Sequence, residues 1–487
     1  MSEPPIAASP PLTESIMTGS PPVPLDLATP HRLHVVGVGG PGMSAIAIVL
    51  AEMGHRVSGS DLRERPVLER VRAAGVEVHV GHDRRLVKGC NAVTASTAVP
   101  ANNVELDEAA KTGIAVLTRA GMLSSICAQA KSLGVAGTHG KTTTTSMLML
   151  ILSAAGMRPS FIIGGDVTDM GTGAQWTGGE WLVVEADESD GTHLELPLFA
   201  TMLTNVEVDH LDFYGTEAAI IAGFDQYLAQ VAGPKVLCID DPVCAELAGR
   251  HGAITYGTSP AADYRAVDMH SEHGAYSFTV ERSGATLGTV DLPLRGVHNV
   301  LNALGALAMA CSVGVDFDVA ARALAKFGGV ARRFDLRGVD GGAALVDDYA
   351  HLPSEISAVL SAARSSGDGW RRVVAVFQPN RFNRMAVMSP AYRDAFVEAD
   401  LVVVTDIYAS GTKPIPSVTG KLVVNAVLDA HPTTRMAWMP RRTDLIEFLA
   451  HELRDGDVCI SMGCGDIASL PDEVQQRRAE LRVLSSR

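Results

Sequence analysis

A short glycine-bearing loop between an apolar strand and an apolar helix constrains this chain more than any other feature. The loop, residues 137–142, reads GTHGKT; it follows the predicted strand Leu133–Ala136 and opens the predicted helix Thr142–Ala155. Backbone N–H groups of such a loop cradle phosphate oxygens, a lysine balances phosphate charge, and a hydroxyl binds Mg²⁺. Val135 stands where the common GxxxxGK[ST] motif has its first glycine, so this loop is shorter. The pattern predicts a nucleoside triphosphate site.

A second glycine loop lies near the start of the chain. It reads GVGGPG over residues 37–42, between the apolar run Leu33–Val36 and the apolar-rich segment Met43–Met53, and Asp61 closes the next predicted strand, Arg56–Ser60. Taken alone, this GxGxxG pattern with an acid about twenty residues on predicts NAD binding, with a tight turn that holds no ligand as the alternative. A dehydrogenase has no use for a triphosphate loop. The two loops together therefore predict an enzyme that binds ATP and, separately, another diphosphate-bearing molecule.

Strands and helices alternate along most of the chain, which predicts an α/β protein with parallel sheets covered on both faces. Within it, Lys235–Leu292 has the alternating pattern of an antiparallel portion. We expect a disordered, proline-rich tail over residues 1–30. Three domains are expected after it, over residues 31–130, 131–332 and 333–487.

Net charge, cysteine pattern and the length of apolar stretches exclude several classes of partner and location. The net charge of −15 argues against nucleic acid as a main partner, since phosphate backbones call for basic surfaces. Seven cysteines without a CxxC pair predict free thiols in a reducing cytoplasm. The longest apolar stretch, Met147–Ala155, is too short to span a bilayer, and the first thirty residues lack the basic start of a secretory signal. We expect a cytoplasmic protein without membrane insertion, either monomer or homodimer.

Acidic runs follow two predicted strands after the phosphate loop. Glu185 ends the strand Trp181–Glu185 and opens the run EADESD, and the run TNVEVDHLD over residues 204–212 begins within the strand Met202–Val206. The carboxyl edge of an α/β sheet is where ligands bind. Because Mg²⁺ prefers oxygen ligands and retains several waters, one or two side chains are enough to hold it. The runs predict the magnesium site of bound ATP.

Six motifs resemble, in their order, those of the Mur ligase family, the enzymes that add amino acids to the peptidoglycan precursor. They are GTHGKTTTTSM, EADESD, TNVEVDHLDFYG, GVHNVLNALGA, ARRF and DDYAHLPSE. The resemblance covers nearly all of residues 31–487, and the first loop, GVGGPGMS, is most similar to the family's alanine-adding branch. It implies an ATP-dependent ligase that joins L-alanine to the lactyl carboxylate of UDP-N-acetylmuramate through an acyl phosphate, giving ADP and phosphate. It also implies a Rossmann-like domain for the UDP-sugar, a central P-loop ATPase-like domain and a Rossmann-like C-terminal domain.

The resemblance implies a role for each matching residue. ATP contacts are expected from Gly137, Thr138, His139, Gly140, Lys141, Thr142, Thr143, His298, Asn299, Asn302, Arg333 and Asp348. Two Mg²⁺ (or Mn²⁺) ions are expected on Thr142, Glu185 and His210. UDP-sugar contacts are expected from Gly37, Gly39, Gly40, Gly42, Met43, Ser44, Asp61, Arg381 and Arg384, and amino-acid contacts from Tyr349, His351, Arg381 and Arg384. Catalysis is expected to depend on Lys141, Glu185, His210 and Arg333.

The sequence also departs from the family pattern. No lysine lies between Lys141 and Lys235, so the carbamoylated lysine of several Mur ligases is absent. Asn380 and Leu352 stand where the family usually has histidine. Both fall near the expected amino-acid pocket, so selectivity among L-alanine, glycine and L-serine stays open, as does an N-acetyl or N-glycolyl sugar. Two other functions stay open: a recycling ligase that adds a whole tripeptide to the same UDP-sugar, and a catalytically inactive nucleotide-binding regulator.

Overall fold

The computed structural model describes residues 24–167 and 170–485. These residues form two compact units. The first runs to Val267 and adds Thr279–Val290 and Leu301–Phe327, while the second comprises Asp268–Phe278, Asp291–Val300 and the chain from Gly328. In the described ranges, no helix has the length and apolar character needed to cross a membrane.

The start of the described chain is packed. Leu27 is buried in the hydrophobic core, and the N–H of Leu25 donates to Oγ of Ser125 at 2.8 Å. Both residues fall within the segment 1–30 that the sequence assigned to a disordered tail. The packed part of the chain therefore begins before residue 31, because the apolar side chains of Leu25 and Leu27 pack against the hydrophobic core. The rest of the predicted tail, residues 1–23, lies outside the described residues.

The first sheet has five parallel strands in the order β3-β2-β1-β4-β5. The strands are β1 (Arg32–Val36), β2 (Arg56–Asp61), β3 (Glu77–Val80), β4 (Ala92–Ala95) and β5 (Ala115–Thr118). The helices are α1 (Pro41–Glu52), α2 (Val67–Ala73), α3 (Val104–Thr112) and α4 (Arg119–Cys127), with a 3₁₀ turn at Arg84–Val87. The strand order reverses between β1 and β4, where open α/β sheets bind ligands. The first glycine loop leaves β1 at this point.

The second sheet has ten strands in the order β15-β14-β13-β12-β11-β10-β6-β9-β7-β8. The strands are β6 (Lys131–Ala136), β7 (Ser160–Val167), β8 (Thr172–Gln175), β9 (Trp181–Glu185), β10 (Ala200–Leu203), β11 (Lys235–Cys238), β12 (Ile254–Gly257), β13 (Tyr264–Glu272), β14 (Ala275–Arg282) and β15 (Ala285–Leu292). The helices are α5 (Lys141–Ala154), α6 (Leu211–Tyr214), α7 (Glu217–Gln230), α8 (Pro242–His251), α9 (Val297–Ser312) and α10 (Phe317–Leu324), with a 3₁₀ turn at Thr192–Glu195. Because β6 lies between β9 and β10 and is parallel to both, the segments that follow these three strands leave the same edge.

The third sheet, in the second unit, has six strands in the order β16-β17-β21-β18-β19-β20. The strands are β16 (Asp335–Asp340), β17 (Ala343–Asp348), β18 (Arg372–Phe377), β19 (Leu401–Val404), β20 (Met436–Trp438) and β21 (Asp457–Met462). The helices are α11 (Pro353–Ser365), α12 (Phe382–Met388), α13 (Lys421–Ala430), α14 (Arg442–Glu452) and α15 (Leu470–Ser485), with 3₁₀ turns at Ser389–Asp394 and Asp466–Ser469. All its pairings are parallel except that of the edge strand β16 with β17.

The segment Lys235–Leu292 corrects the prediction of one antiparallel portion. Its first two strands, β11 and β12, run parallel to their neighbours, because α8 carries the chain back between them. Only β13, β14 and β15 are joined by two-residue turns, which require antiparallel neighbours. The predicted strand Met202–Val206 also ends earlier, at Leu203, and the residues after it hold the phosphate loop.

Candidate active site

The phosphate loop has a backbone that only glycine adopts without strain at two positions. Gly137 has φ +126° and Gly140 has φ +80°, and a Cβ on Gly137 would collide with Oγ1 of Thr204. The segment after β10 holds the loop: Asn205 accepts the N–H of His139 on Oδ1 at 2.8 Å, and Thr204 donates to the carbonyl of His139 at 2.6 Å. Gly140 is the N-cap of α5. A helix N-terminus with free N–H groups is thereby presented for an anion.

Lys141 is the cation at the centre of this loop. Its ammonium donates to the carbonyl of Gly137 at 2.6 Å and to Oε1 of Glu188 at 2.9 Å. Burial disfavours the charged ammonium, but the carboxylates of Glu188, Asp187 and Glu185 outweigh it and raise the pKa of Lys141. Burial also raises the pKa of Glu188 to about 7, against the opposing effect of Lys141. Lys141 therefore stays charged beside a carboxyl group that titrates near neutral pH.

Thr142 and Glu185 come together as the sequence predicted for a metal site. The hydroxyl of Thr142 lies 3.2 and 3.1 Å from the two carboxylate oxygens of Glu185, and Oε2 of Glu185 accepts the N–H of Gly164 at 2.7 Å. A hydroxyl and a carboxylate at a sheet edge suit Mg²⁺, which takes oxygen ligands and keeps several waters. In residues 24–167 and 170–485, no three His, Cys, Asp or Glu side chains are grouped so as to hold a metal by themselves. Water and phosphate oxygens would have to complete the shell.

His210 follows β10 on the same edge of the sheet. It has φ +53° and is the N-cap of α6, and its backbone N–H donates to Oδ1 of Asp209 at 2.7 Å. Its Nε2 lies 3.2 Å from Oδ2 of Asp209, which fixes the ring orientation. His139, in the phosphate loop, pairs in the same way with Glu207 at 3.2 Å. Two of the three histidines predicted to contact the nucleotide or its metal, His139 and His210, are thus oriented by acids of the TNVEVDH run.

Asp61 stabilises the first glycine loop through a hydrogen bond to its backbone. The carboxylate of Asp61 accepts the N–H of Gly39 at 2.9 Å, and a Cβ on Gly39 would lie 2.7 Å from that carboxylate. Asp61 is buried, so it supports the loop's shape in addition to its predicted role toward a ligand. Met43 is only 2% exposed and packs in the core, so its backbone alone can face a ligand.

A cavity of about 250 Å³ lies beside this loop, between the first sheet's helices and the β7–β8 strands. It is lined by Gly39, Ser44, Ala45, Ile48, Val67, Arg70, Ile163, Gly164, Gly165, Asp166, Thr172, Gly173 and Ala174. Arg70 donates to Asp166 at 2.8 Å in this lining. Because Gly164 also bonds Glu185, the cavity adjoins both the first glycine loop and the predicted metal site.

Arg119 joins the two sheets of the first unit at the site. It begins α4, and its Nη2 donates to both carboxylate oxygens of Asp190 at 2.9 and 2.8 Å and to Oδ2 of Asp187 at 3.4 Å. Burial would raise the pKa of Asp187, but Lys141 and Arg119 lower it overall. Asp187 is therefore held ionised between one cation from each sheet.

The predicted adenine contacts divide between the two units. Asn302, on α9, is buried in the first unit, and a Cβ on Gly140 would lie 2.5 Å from its Oδ1, so its amide rests against the phosphate loop. His298 and Asn299 belong to the second unit. Desolvation, with a contribution from Arg333, lowers the pKa of His298 to about 4, so this imidazole is neutral at pH 7. The amide of Asn299 donates to the carbonyl of Arg295 at 2.8 Å.

In the second unit, Asp348 organises the turn that carries Arg333. Its carboxylate accepts the N–H groups of Phe334 and Ala350, both at 2.7 Å. Burial raises the pKa of Asp348 to about 6, against the lowering effects of Arg333 and these two bonds. The guanidinium of Arg333 lies 5.2 Å from the centre of the Tyr349 ring. The Asp348 carboxylate therefore accepts hydrogen bonds from the protein's own backbone, in addition to the ribose contact that the resemblance implies.

The predicted amino-acid residues all belong to this unit. The rings of Tyr349 and His351 meet edge to face at 5.5 Å, and Glu355 lies 3.2 Å from Nδ1 of His351. Arg384 is buried and donates to Oδ1 of Asn380 at 3.2 Å. Leu352, at the other position where the family usually has histidine, is buried in the core.

Cys464 interacts electrostatically with arginines of this unit and with Tyr349. Burial raises the pKa of its thiol, against the lowering effects of Arg384, Arg332 and Arg381. The same thiol contributes to the raised pKa of Tyr349. Two arginines and a tyrosine predicted from the resemblance thus each interact electrostatically with this thiol.

Sequence models of three Mur ligase domains match the chain in order. The Mur ligase family catalytic domain matches residues 32–131, the Mur ligase middle domain residues 135–310, and the Mur ligase glutamate ligase domain residues 332–465. The chain belongs to the Mur ligase family. The predicted family and three-domain α/β fold are confirmed, while the exact boundaries of the predicted domains stay predictions.

This Mur ligase is similar over most of its length to named relatives. It is 44% identical to the UDP-N-acetylmuramate–L-alanine ligase of Acidothermus cellulolyticus, over 92% of this chain and 95% of that protein. It is 40% identical to the enzyme of the same name from Pelotomaculum thermopropionicum, over 92% of this chain and 98% of that protein. The solved UDP-N-acetylmuramate–alanine ligase of Thermotoga maritima is 27% identical and superimposes with a TM-score of 0.77, covering 94% of this chain and all of that one.

Sequence reasoning missed two residues of the site. Glu188 was seen only as part of an acidic run, although it lies three residues beyond the strand end that carries Glu185. Arg119 was not singled out at all. A signal did exist for it, since it directly follows β5, at the carboxyl edge where the other site residues gather.

Proposed function

We propose that this Mur ligase joins L-alanine to the lactyl carboxylate of UDP-N-acetylmuramate, using ATP, in peptidoglycan precursor synthesis. The observation that carries the proposal is the convergence of Lys141, Thr142, Glu185 and Glu188 at the edge shared by β6 and β9. The named relatives support the choice of both substrates. We place the reaction in the cytoplasm, where all seven free cysteines would remain reduced.

ATP binds, in this proposal, on the loop of residues 137–143. Lys141 faces the β- and γ-phosphates, and its salt bridge to Glu188 opens as phosphate charge replaces the carboxylate. Asn302 lies at the loop already, and His298, Asn299, Arg333 and Asp348 of the second unit supply the remaining contacts that the family resemblance implies. A neutral His298 suits this role, because an uncharged ring faces adenine without the desolvation cost of a cation.

Thr142 and Glu185 would hold one Mg²⁺ ion and His210 a second. The two ions would neutralise phosphate charge while the anionic carboxylate approaches the triphosphate. Asp209 fixes the His210 ring, as carboxylates commonly do for a histidine ligand. Gly164 likewise fixes one oxygen of Glu185.

The sugar nucleotide is assigned to the first glycine loop, with Gly37, Gly39, Gly40, Gly42, the backbone of Met43, Ser44 and Asp61, and the adjoining cavity. Diphosphate oxygens accept hydrogen bonds from the N-terminal N–H groups of α1. The cavity reaches Gly164 and thus the neighbourhood of Glu185. A carboxylate at the end of the sugar's lactyl arm would meet the γ-phosphate there.

Bond making follows in two steps. The lactyl carboxylate oxygen attacks the γ-phosphorus, the bond from that phosphorus to the bridging oxygen breaks, and ADP leaves. The neutral amine of L-alanine, held by Tyr349, His351, Arg381 and Arg384, then attacks the acyl carbon and phosphate departs with the acyl oxygen. A proton leaves the amine. Fixed positive charge in a site closed to water stabilises both transition states.

Phosphate release by the purified protein tests the proposal directly. The complete reaction holds Mg·ATP, UDP-N-acetylmuramate and L-alanine, and each component is left out in turn. Replacing L-alanine with glycine, L-serine or a murein tripeptide separates the alanine-adding enzyme from a recycling ligase. Release that requires both the sugar nucleotide and L-alanine is expected. Failure to bind Mg·ATP, no release in the complete reaction, or a clear preference for tripeptide would contradict the proposal.

A further inference from the structure

We propose that Arg119 is a positioning residue that couples the sugar-nucleotide loop to the phosphate-transfer loop. The inference rests on the proposed function and adds a residue to it. Arg119 is the first residue of α4, in the first sheet's half of the site, yet its bonds go to the acidic run after β9 in the second sheet. Arg119 thus links the part of the site assigned to the sugar nucleotide with the part assigned to phosphate transfer.

All hydrogen bonds between the Arg119 guanidinium and the described residues come from one of its nitrogens, Nη2. Nη2 donates to Asp187, to both oxygens of Asp190 and to Oγ1 of Thr192 at 3.0 Å. Thr192 in turn donates to Asp190 at 2.6 Å. With a side chain only 19% exposed, these charge-assisted bonds form where water screens them poorly. Arg119 therefore fixes the position of the acidic run.

The acidic run transmits that position to Lys141. Glu188 directly follows Asp187, and its carboxylate accepts from Lys141 at 2.9 Å. The backbone carbonyl of Glu188 accepts from the Tyr214 hydroxyl at 2.9 Å, so this segment is held on two sides. A displacement of Asp187 moves Glu188 and alters the restraint on the Lys141 ammonium.

The other side of the guanidinium faces the first glycine loop. A Cβ placed on Gly42 would lie 3.6 Å from Nη1 and from Cδ of Arg119, which is ordinary contact distance. An anionic molecule on that loop would place negative charge next to Nη1. It would compete with Asp187 and Asp190 for the guanidinium, and would so weaken the hydrogen bonds by which Arg119 positions the acidic run. Binding of sugar nucleotide and of Mg·nucleotide are therefore coupled through Arg119.

Binding measurements test this coupling. The affinity for a non-hydrolysable Mg·ATP analogue is measured with and without saturating UDP-N-acetylmuramate. Coupled sites typically change each other's affinity by about 5- to 150-fold, and the factor is the same in both directions. We expect a factor in this range for the unaltered protein, a factor within about twofold of one for Arg119→Met, and an intermediate value for Arg119→Lys.

Glu52→Ala is the matched control. Oε2 of Glu52 accepts the N–H of Trp176 at 2.6 Å, another hydrogen bond between the same two parts of the first unit. This variant should keep the full coupling factor, which separates a specific role of Arg119 from general docking of the two sheets. Thermal unfolding of each variant verifies that it is folded, and Arg119→Lys retains the charge if Arg119→Met does not fold.

A double-mutant cycle with Asp190→Asn closes the test. If Arg119 acts through the acidic run, the two substitutions have non-additive effects on analogue affinity. Independent effects, an unchanged coupling factor in the folded Arg119 variants, or an equal loss in Glu52→Ala would overturn the inference while turnover of the unaltered protein still supports the proposed function. An unaltered protein that neither binds UDP-N-acetylmuramate nor releases phosphate would instead refute the proposed function itself.

Discussion

Lys141 and Glu188 form a salt bridge of 2.9 Å in which the lysine side chain is 13% exposed and the glutamate 3%. In the proposed mechanism, phosphate oxygens replace this carboxylate as the partner of the ammonium. Because two charges buried together depend on each other, removing either one leaves an uncompensated group. The pair is therefore a sensitive point of the proposed mechanism.

Replacing Lys141 with alanine should nearly abolish turnover. Loss of one preorganised charge in a closed site typically costs about 3 to 4 kcal/mol, or roughly 10²- to 10³-fold in rate. Phosphate release under saturating substrates measures the effect. Lys131→Met is the control, since Lys131 begins β6, the strand that leads into the phosphate loop, and forms a half-exposed pair with Glu180. Equal turnover of folded Lys141→Ala and unaltered protein would refute the placement of ATP on this loop.

Replacing Glu188 with glutamine should change how stability depends on pH. Burial raises the pKa of this carboxyl from 4.5 to about 7, so the folded state holds its proton more tightly than the unfolded state. Its contribution is fully present below pH 4.5 and is lost as the pH rises to 7, by about 3 kcal/mol. The neutral amide cannot lose a proton. The difference in unfolding temperature between Glu188→Gln and the unaltered protein should grow in favour of the variant across this window, and a constant difference would contradict it.

His193 should act on stability with the opposite sign. Burial lowers its pKa to about 4, and within the described residues neither ring nitrogen has a hydrogen-bond partner. The ring lies among Phe224 and Tyr227, with centroids 5.5 and 5.3 Å away. The stability that depends on a neutral His193 is present above pH 6.5 and is lost, by about 3 kcal/mol, as the pH falls to about 4.

Phenylalanine at position 193 tests that expectation. His193→Phe removes two unpaired polar atoms from an aromatic cluster and should stabilise the protein at pH 7 by about 1 to 2 kcal/mol. Its unfolding temperature should also fall less than that of the unaltered protein on acidification. His273→Phe, on a side chain that is 80% exposed, is the control. A variant that loses stability in parallel with the unaltered protein between pH 6.5 and 4 would show that His193 is not the titrating group.

Local patterns predicted the parts of the site that lie close together in sequence. The predicted helix Thr142–Ala155 differs from α5 by one residue at each end, and the strand Trp181–Glu185 was predicted with its observed bounds. Strand, glycine loop and helix follow one another directly, so their propensities and the requirement for glycine are visible in a short window. The pairing of Thr142 with Glu185 was predicted from the family resemblance, and the adjacent parallel strands β6 and β9 bring the two residues together.

Pairings set by the order of strands could not be predicted in the same way. Lys141 and Glu188 are 47 residues apart, and Arg119 and Asp190 are 71 apart. Their contact depends on β6 lying next to β9 and on the packing of the first sheet against the second. No local pattern encodes either arrangement. The prediction of an antiparallel portion over Lys235–Leu292 was wrong for β11 and β12, which pair in parallel because the helix α8 carries the chain back between them.

Asn380 should set the position of Arg384 in the amino-acid pocket. The two side chains are 3% and 8% exposed, and the 3.2 Å bond between them is a buried contact to a charged group. Such bonds contribute about 1.5 to 3 kcal/mol, so Asn380→Ala should raise the KM for L-alanine by roughly tenfold or more. The KM for ATP should change little, because neither Asn380 nor Arg384 is among the predicted ATP contacts. Asn380→His restores the residue usual in the family and should recover most of the loss, while Asn425→Ala, on the exposed side of α13, should have no effect. Steady-state kinetics with varied L-alanine decides the matter: a fall in kcat with an unaltered KM for L-alanine would show that Asn380 does not position the acceptor.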